Sequence, residues 1–153
     1  MNQAIRQHSP LGYLYGAGMA RNKNNGPQIA AIPKRVIEHP DFLSLSYRAL
    51  RLLLQFAYQY NKRNNGKLCA IHDQLKDKGF ASKQTLSEAL KELHAKRFIE
   101  LTKGTTTSKN GRSPNYYALT FWGIDDIAGF KMDVKPSPKP TRTFNDAIDK
   151  RNT

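Results

Sequence analysis

The segment that follows Ser82 places hydrogen-bonding side chains along one side of a predicted helix. At 100° per residue, four apolar residues fall within an arc of about 100° and would face a core: Leu86, Ala89, Leu90 and Leu93. The other side holds only hydrogen-bonding residues: Lys83, Gln84, Ser87, Glu88, Lys91 and His94. In a DNA major groove a glutamine can pair with adenine, a lysine can donate to guanine and a glutamate can accept from cytosine. The pattern therefore predicts a helix that recognises base edges, with Thr85 near phosphates at its start, although a merely solvated helix face looks the same.

A basic loop follows this helix between two predicted strands, Phe98 to Thr102 and Tyr116 to Phe121. The loop is rich in Gly, Ser, Thr and Asn, so the segment predicts a β-hairpin. Its side chains can donate hydrogen bonds to phosphate oxygens, which would position the protein on DNA without recognising sequence. The alternative is a flexible hairpin kept soluble by its charges. The candidate residues of this hairpin, the wing, are Lys103, Thr105, Thr106, Lys109, Asn110 and Arg112.

A third basic set lies near the predicted first long helix and the turn after it: Arg48, Arg51, Arg63 and Lys67. These residues are candidates for additional contacts to the DNA backbone. Taken alone, these residues are better explained as a solvated surface than as a site. They are therefore expected to support the first two surfaces and not to form a separate site.

The distribution of charge favours a polyanionic partner. The 153 residues contain 25 Lys and Arg against 12 Asp and Glu, a formal net charge of +13. Between Ser46 and Trp122 there are fourteen basic and five acidic residues, so most of the excess lies on the predicted domain that contains this helix and hairpin. Because clustered positive charge attracts phosphates and speeds encounter, nucleic acid is the leading partner and a membrane surface the weaker one.

Several classes of function find no support in the sequence. The four histidines lack metal-ligand spacing, and neither a phosphate-binding loop nor a nucleophile elbow is present. Cys69 is the single cysteine, so no intrachain disulfide can form, and no run is long enough to span a bilayer. We therefore expect a protein that is not an enzyme, that needs no cofactor or metal, and that is cytoplasmic and associated with the nucleoid.

The chain divides into three parts in this interpretation: an irregular N-terminal arm (1–28), one domain (29–123) and a Pro-rich, largely irregular C-terminal extension (124–153). Ser46 is a good N-cap for the first long helix. Gly79 suits the end of a short helix from Ile71 to Lys78. The first long helix is expected to repeat apolar residues at helical spacing: Tyr47, Leu50, Leu53, Leu54, Ala57 and Tyr58.

The order of these elements resembles the winged helix-turn-helix superfamily from about Ile32 to Trp122. IPKRVIEHPDFLSLSYRALRLLL is similar to the opening of bacterial helix-turn-helix proteins of plasmids, prophages and integrated elements. SKQTLSEALKELHAKRFIELT matches the family pattern of a recognition helix followed by a basic stretch and an apolar strand. The resemblance implies an α+β winged helix, a three-helix core with a hairpin wing. In it Ser82, Lys83, Gln84, Thr85, Ser87 and Lys91 lie on the recognition helix.

These observations together predict a sequence-specific protein that binds double-stranded DNA, most simply a transcriptional regulator of a bacterial or mobile-element operon. Two alternatives remain open, a plasmid or phage replication protein and a winged-helix scaffold for protein interaction. A palindromic DNA site would require a homodimer. The N-terminal arm and the C-terminal tail are the candidate contacts for a protein partner.

Overall fold

The computed structural model describes residues 27–145. The predicted N-terminal arm falls almost wholly outside this range. The fold is α+β, with helices packed on a small antiparallel sheet. In the described residues the helices are α1 (Lys34–Ile37), α2 (Pro40–Leu43), α3 (Tyr47–Gln59), α4 (His72–Leu75) and α5 (Lys83–Ala95), with a 3-10 turn at Lys76–Lys78. The strands are β1 (Leu68–Cys69), β2 (Ile99–Lys103), β3 (Thr107–Ser108), β4 (Gly111–Arg112) and β5 (Tyr116–Leu119).

Strand β5 is the centre of a three-stranded antiparallel sheet in the order β1-β5-β2. Leu68 pairs with Tyr117 across one ladder, and Ile99 pairs with Leu119 across the other. The short strands β3 and β4 pair only with each other and extend the β2–β5 hairpin. Helix, strand, helix, turn, helix and hairpin thus follow one another along the chain.

Helices α3 and α5 pack on each other and on one face of the sheet. Their contact is anchored by aromatic residues that are fully buried: Phe56, Phe80, Phe98 and Phe121. On α5 the buried residues are Leu86, Ala89 and Leu93, as the helical period predicts, while Leu90 is half-buried. Because the inward face of α5 is fixed in this way, its polar face must point to solvent.

The core face of α3 differs from the sequence expectation. The buried residues are Ala49, Leu52, Leu53, Phe56 and Ala57. Tyr47, Leu54 and Tyr58, which were predicted to repeat toward the core, are exposed by 91%, 47% and 72%. Helix α3 carries leucines on nearly every side, so its period alone does not select one face. Packing of the larger Phe56 against Tyr117 of the sheet, at 5.8 Å between ring centroids, selects it instead.

The C-terminal segment 124–145 lies against the domain. It forms no helix, and its one β-bridge joins Ile124 to Ser137. The backbone N–H of Asp133 donates to the Thr102 carbonyl at 2.8 Å, and Phe144 is buried within the core. These contacts hold the part of the segment that ends at Asn145 against the domain.

Candidate nucleic-acid interface

A tight turn places the N-terminus of α5. Gly79 has φ of 101°, in the left-handed region, and the Phe80 N–H donates to the Leu75 carbonyl at 3.3 Å. This is the helix end that a glycine permits, because a Cβ at such a φ is strained. The Ser82 hydroxyl then accepts from the Thr85 N–H at 3.2 Å and caps α5.

The exposed face of α5 contains every residue that the helical pattern assigned to it. Thr85 is half-buried, and its hydroxyl turns back to the Ser82 hydroxyl at 3.4 Å. Gln84 Nε2 donates to Glu88 Oε1 at 3.0 Å, so these two polar groups order each other. Gln84 keeps a second N–H and its carbonyl oxygen for a base edge. The exposed residues are Ser82, Lys83, Gln84, Ser87, Glu88, Lys91 and His94.

The hairpin is shaped by its own polar side chains. The Asn115 side-chain oxygen accepts from both the N–H and the hydroxyl of Thr105, at 2.8 and 2.9 Å. The Ser113 hydroxyl accepts from the Thr106 N–H at 2.9 Å. Thr105 and Thr106, predicted to contact phosphates, therefore contribute first to the structure of the hairpin. No pattern in the sequence indicates these roles of Asn115 and Ser113, because their partners are set only by strand pairing.

The tip of the hairpin presents two cations and a tight turn. Lys109, Asn110 and Arg112 are exposed, and Gly111 has φ of 108°. The Asn110 N–H donates to the Ser108 hydroxyl at 3.2 Å, which closes the turn. From residue 103 to residue 115 the chain contains no acidic residue, so the tip is a purely positive surface.

Lys103 has a different position from the other wing residues. Its ammonium group lies 4.8 Å from the centre of the Phe130 ring, and that of Lys67 lies 5.1 Å from the same ring. Cations within about 6 Å of an aromatic face are attracted to it. The C-terminal segment thus holds two predicted backbone-contact residues side by side at the base of the hairpin, which no pattern in the sequence indicates.

A series of links connects the turn before α5 to the strands of the hairpin. His72 Nε2 lies 3.1 Å from the carbonyl oxygen of Ala81, directly before the Ser82 cap. Cys69, three residues before His72 in the chain, pairs with Tyr116, and Tyr116 pairs with Lys103 on β2. The start of α5 is therefore linked through His72 and β1 to the two strands that lead into the basic hairpin.

The other predicted backbone-contact residues are dispersed. Arg51 donates from Nη1 to the Lys78 carbonyl at 3.4 Å, and so it lies against the turn before α5. Arg48 and Arg63 are exposed on α3 and on the loop that follows it. The structure brings only Arg51 and Lys67 next to the elements that form the candidate interface.

No group of three or more His, Cys, Asp or Glu side chains in residues 27–145 is placed to hold a metal ion. Burial raises the pKa of the Cys69 thiol, which keeps it protonated and poorly nucleophilic. Within the same range, no helix has the length and hydropathy needed to cross a bilayer.

Comparison of the chain with protein-family models, with curated proteins and with solved structures gave no match.

Proposed function

We propose that this chain is a winged-helix protein that binds double-stranded DNA and regulates transcription of a bacterial or mobile-element operon in the cytoplasm. In this proposal α5 enters the major groove and the β2–β5 hairpin contacts the backbone beside it. The single observation that supports it best is a capped helix with an exposed polar face in the same domain as a hairpin whose residues 103–115 include cations and no acidic residue.

The chemistry of the two surfaces differs in a way that suits their proposed roles. Gln84, Glu88 and Lys91 provide donors and acceptors that distinguish base pairs. Lys109 and Arg112 provide positive charge at a turn. Such charge attracts DNA phosphates whatever the base sequence, and an arginine can also insert into a narrow minor groove. Sequence recognition would therefore reside in α5, and most of the affinity would come from the cations of the hairpin.

Neutralisation of four interface cations tests the proposal. The variant Lys83→Ala/Lys91→Ala/Lys109→Ala/Arg112→Ala should lose duplex binding by at least about a hundredfold, because each phosphate contact contributes to counterion release. The matched control removes four exposed cations elsewhere: Lys34, Lys131, Lys135 and Lys139. Equal losses in the two variants would contradict a localised interface and leave only the net charge as the cause.

Selection of bound sequences from a random duplex pool provides the second readout. If about six cations contact phosphates, the logarithm of affinity should fall with the logarithm of salt at a slope near −5. If the recovered motif occurs in the genome beside a divergently transcribed operon, the result would support a regulator. If it occurs beside a replication origin, the result would support a replication protein. The absence of both a motif and a salt slope would refute DNA binding and favour a scaffold.

A further inference from the structure

Helix α3 carries an apolar stripe that is exposed among residues 27–145. The stripe consists of Tyr47, Leu50, Leu54 and Tyr58, at spacings i, i+3, i+7 and i+11 on one side of the helix. Tyr47, Leu54 and Tyr58 are exposed by 91%, 47% and 72%, and Leu50 is half-buried. Contiguous apolar surface of this kind is uncommon unless a partner covers it.

The stripe borders a shallow groove that is open along the helix. Arg51 and Gln55 line this groove together with Tyr47, Leu50 and Leu54. Rows of side chains at helical spacing with grooves between them are the surface into which a second helix packs. The shape therefore suits a helical partner that presents apolar residues at the same spacing.

The charged side chains that line the groove or lie on a ring of the stripe are positive. Arg51 lines the groove, Arg48 is exposed on the same helix, and the Lys78 ammonium lies 5.6 Å from the centre of the Tyr58 ring. Helix α3 contains no acidic residue, and none occurs from residue 42 to residue 72. A partner that covers the apolar residues would meet these cations at its edges.

We propose that the α3 stripe is a docking site for an acidic amphipathic helix of a partner protein. Carboxylates beside the apolar row of that helix would face Arg48, Arg51 and Lys78, so charge complementarity would favour it over a neutral or basic helix. The inference does not depend on DNA binding, because none of the four apolar residues of the stripe is proposed to contact DNA. Arg51 is shared between the two surfaces, since it lines this groove and also lies against the turn before α5.

A second copy of this chain fits the stripe less well. Two chains of net charge +13 would repel, and antiparallel pairing of two α3 helices would place Arg48, Arg51 and Lys78 of each copy near those of the other. A stable dimer also buries roughly 800 Å² on each partner, which is a large area for four side chains to supply.

The probe is a synthetic 18-residue peptide with leucine at the stripe spacing, glutamate beside the leucine row and alanine at the remaining positions, which favours a helix. Its affinity for the full chain, measured by fluorescence anisotropy, should exceed that of two comparison peptides at least tenfold. One comparison peptide has the same composition in scrambled order, and the other has lysine in place of glutamate. Equal affinity for the scrambled peptide would overturn the proposal, since net charge alone would then explain binding.

The stripe variant is Leu54→Ser/Tyr58→Ser, and the matched control is Leu101→Ser, which changes an apolar residue on β2 that is 43% exposed. The stripe variant should lose peptide affinity at least tenfold while keeping its melting temperature and duplex DNA affinity, and the control should lose none. Unchanged peptide affinity in the stripe variant would refute the proposal. The proposal would also be refuted if the wild type formed a dimer in sedimentation that the variant abolished. It would be refuted as well if the variant lost binding to single-stranded DNA and kept binding to the peptide.

Discussion

Ser46 and Glu92 join the start of α3 to the last turn of α5. The Glu92 carboxylate accepts from the Ser46 N–H at 2.8 Å and from its hydroxyl at 2.6 Å. The same hydroxyl accepts from the Ala49 N–H at 3.2 Å and caps α3. One carboxylate thus links the N-cap of α3 to α5, the helix that carries the candidate recognition face. The Lys96 ammonium lies 3.7 Å from the same carboxylate.

This link should make stability depend on pH. Burial disfavours the charged carboxylate, but the Ser46 hydrogen bonds and Lys96 outweigh it and lower the pKa of Glu92. A folded-state pKa below the unfolded value means that the stabilisation is complete above about pH 4.3 and is lost as pH falls through the folded value. Glu92→Gln should therefore cost about 1–2 kcal/mol at pH 7 and much less near pH 3.

Urea unfolding of wild type and variant at the two pH values measures this difference. Glu88→Gln, on the exposed side of the same helix, is the control and should change stability by less than about 0.5 kcal/mol at pH 7. A Glu92→Gln penalty that did not change between pH 7 and pH 3 would show that the carboxylate charge contributes nothing to the link.

Asn65 should be among the polar residues most sensitive to substitution. Its side chain is fully buried, accepts from the Leu119 N–H at 2.7 Å, and donates to the Leu119 and Gly123 carbonyls at 3.0 and 2.7 Å. Asn65→Ala would leave these groups unpaired at the end of β5, and so should cost about 3 kcal/mol or more.

A second substitution at the same position separates hydrogen bonding from volume. Asn65→Asp keeps the shape and the acceptor but places an oxygen against two carbonyl oxygens, and it should destabilise comparably. Asn110→Ala at the exposed hairpin tip should change the free energy of unfolding by less than about 0.5 kcal/mol. Thermal melts of the three variants provide the comparison, and a mild effect of Asn65→Asp would contradict the role of the donated bonds.

Local signals predicted the elements of the candidate site. Ser46 and Ser82 cap their helices, and Gly79 takes the left-handed conformation, because each of these effects involves residues within a few positions. The polar face of α5 follows from the four inward residues of one helical period. The hairpin follows from strand-forming residues on both sides of a Gly-, Ser- and Asn-rich loop.

Contacts between distant parts of the chain could not be predicted in this way. Asn65 occurs in a sequence typical of a turn, yet its partners are 54 and more residues away. Phe130 holds Lys67 and Lys103 only because the C-terminal segment returns to the sheet. The exposure of Tyr47 and Tyr58 likewise depends on which side of a leucine-rich helix the sheet covers, which periodicity leaves undetermined.

Gly79 should be required for the position of α5. An alanine there would be strained at φ of 101°, and its Cβ would lie 2.7 Å from Cδ of Arg51. We expect Gly79→Ala to cost about 1–2 kcal/mol and to weaken duplex binding, because the turn sets the start of the polar helix.

The control for this substitution is Gly104→Ala, where an added Cβ meets no atom within 4 Å. It should change stability by less than about 0.5 kcal/mol. Adding Arg51→Ala to Gly79→Ala removes the close contact but not the backbone strain, so most of the penalty should persist in differential scanning calorimetry. Full recovery would show that the contact, and not φ, makes glycine necessary.

Arg142 should anchor the C-terminal segment to the domain. Its guanidinium donates to the Lys96 carbonyl at 2.6 Å and to Asp41 Oδ2 at 2.5 Å, and its centre lies 4.1 Å from that of the Phe144 ring. Arg142→Ala should lose about 2 kcal/mol, mainly through packing and the carbonyl hydrogen bond, since Asp41 is 43% exposed and can be solvated.

Arg142→Lys should recover only part of this loss, because a lysine cannot make both hydrogen bonds in one plane. Lys139→Ala, an exposed cation three residues earlier, should cost less than about 0.5 kcal/mol. Hydrogen exchange at the Arg142 N–H, which donates to the Thr120 carbonyl at 3.0 Å, reports detachment directly. If Arg142→Ala left this amide as protected as in wild type, Phe144 and not the guanidinium would hold the segment on the core.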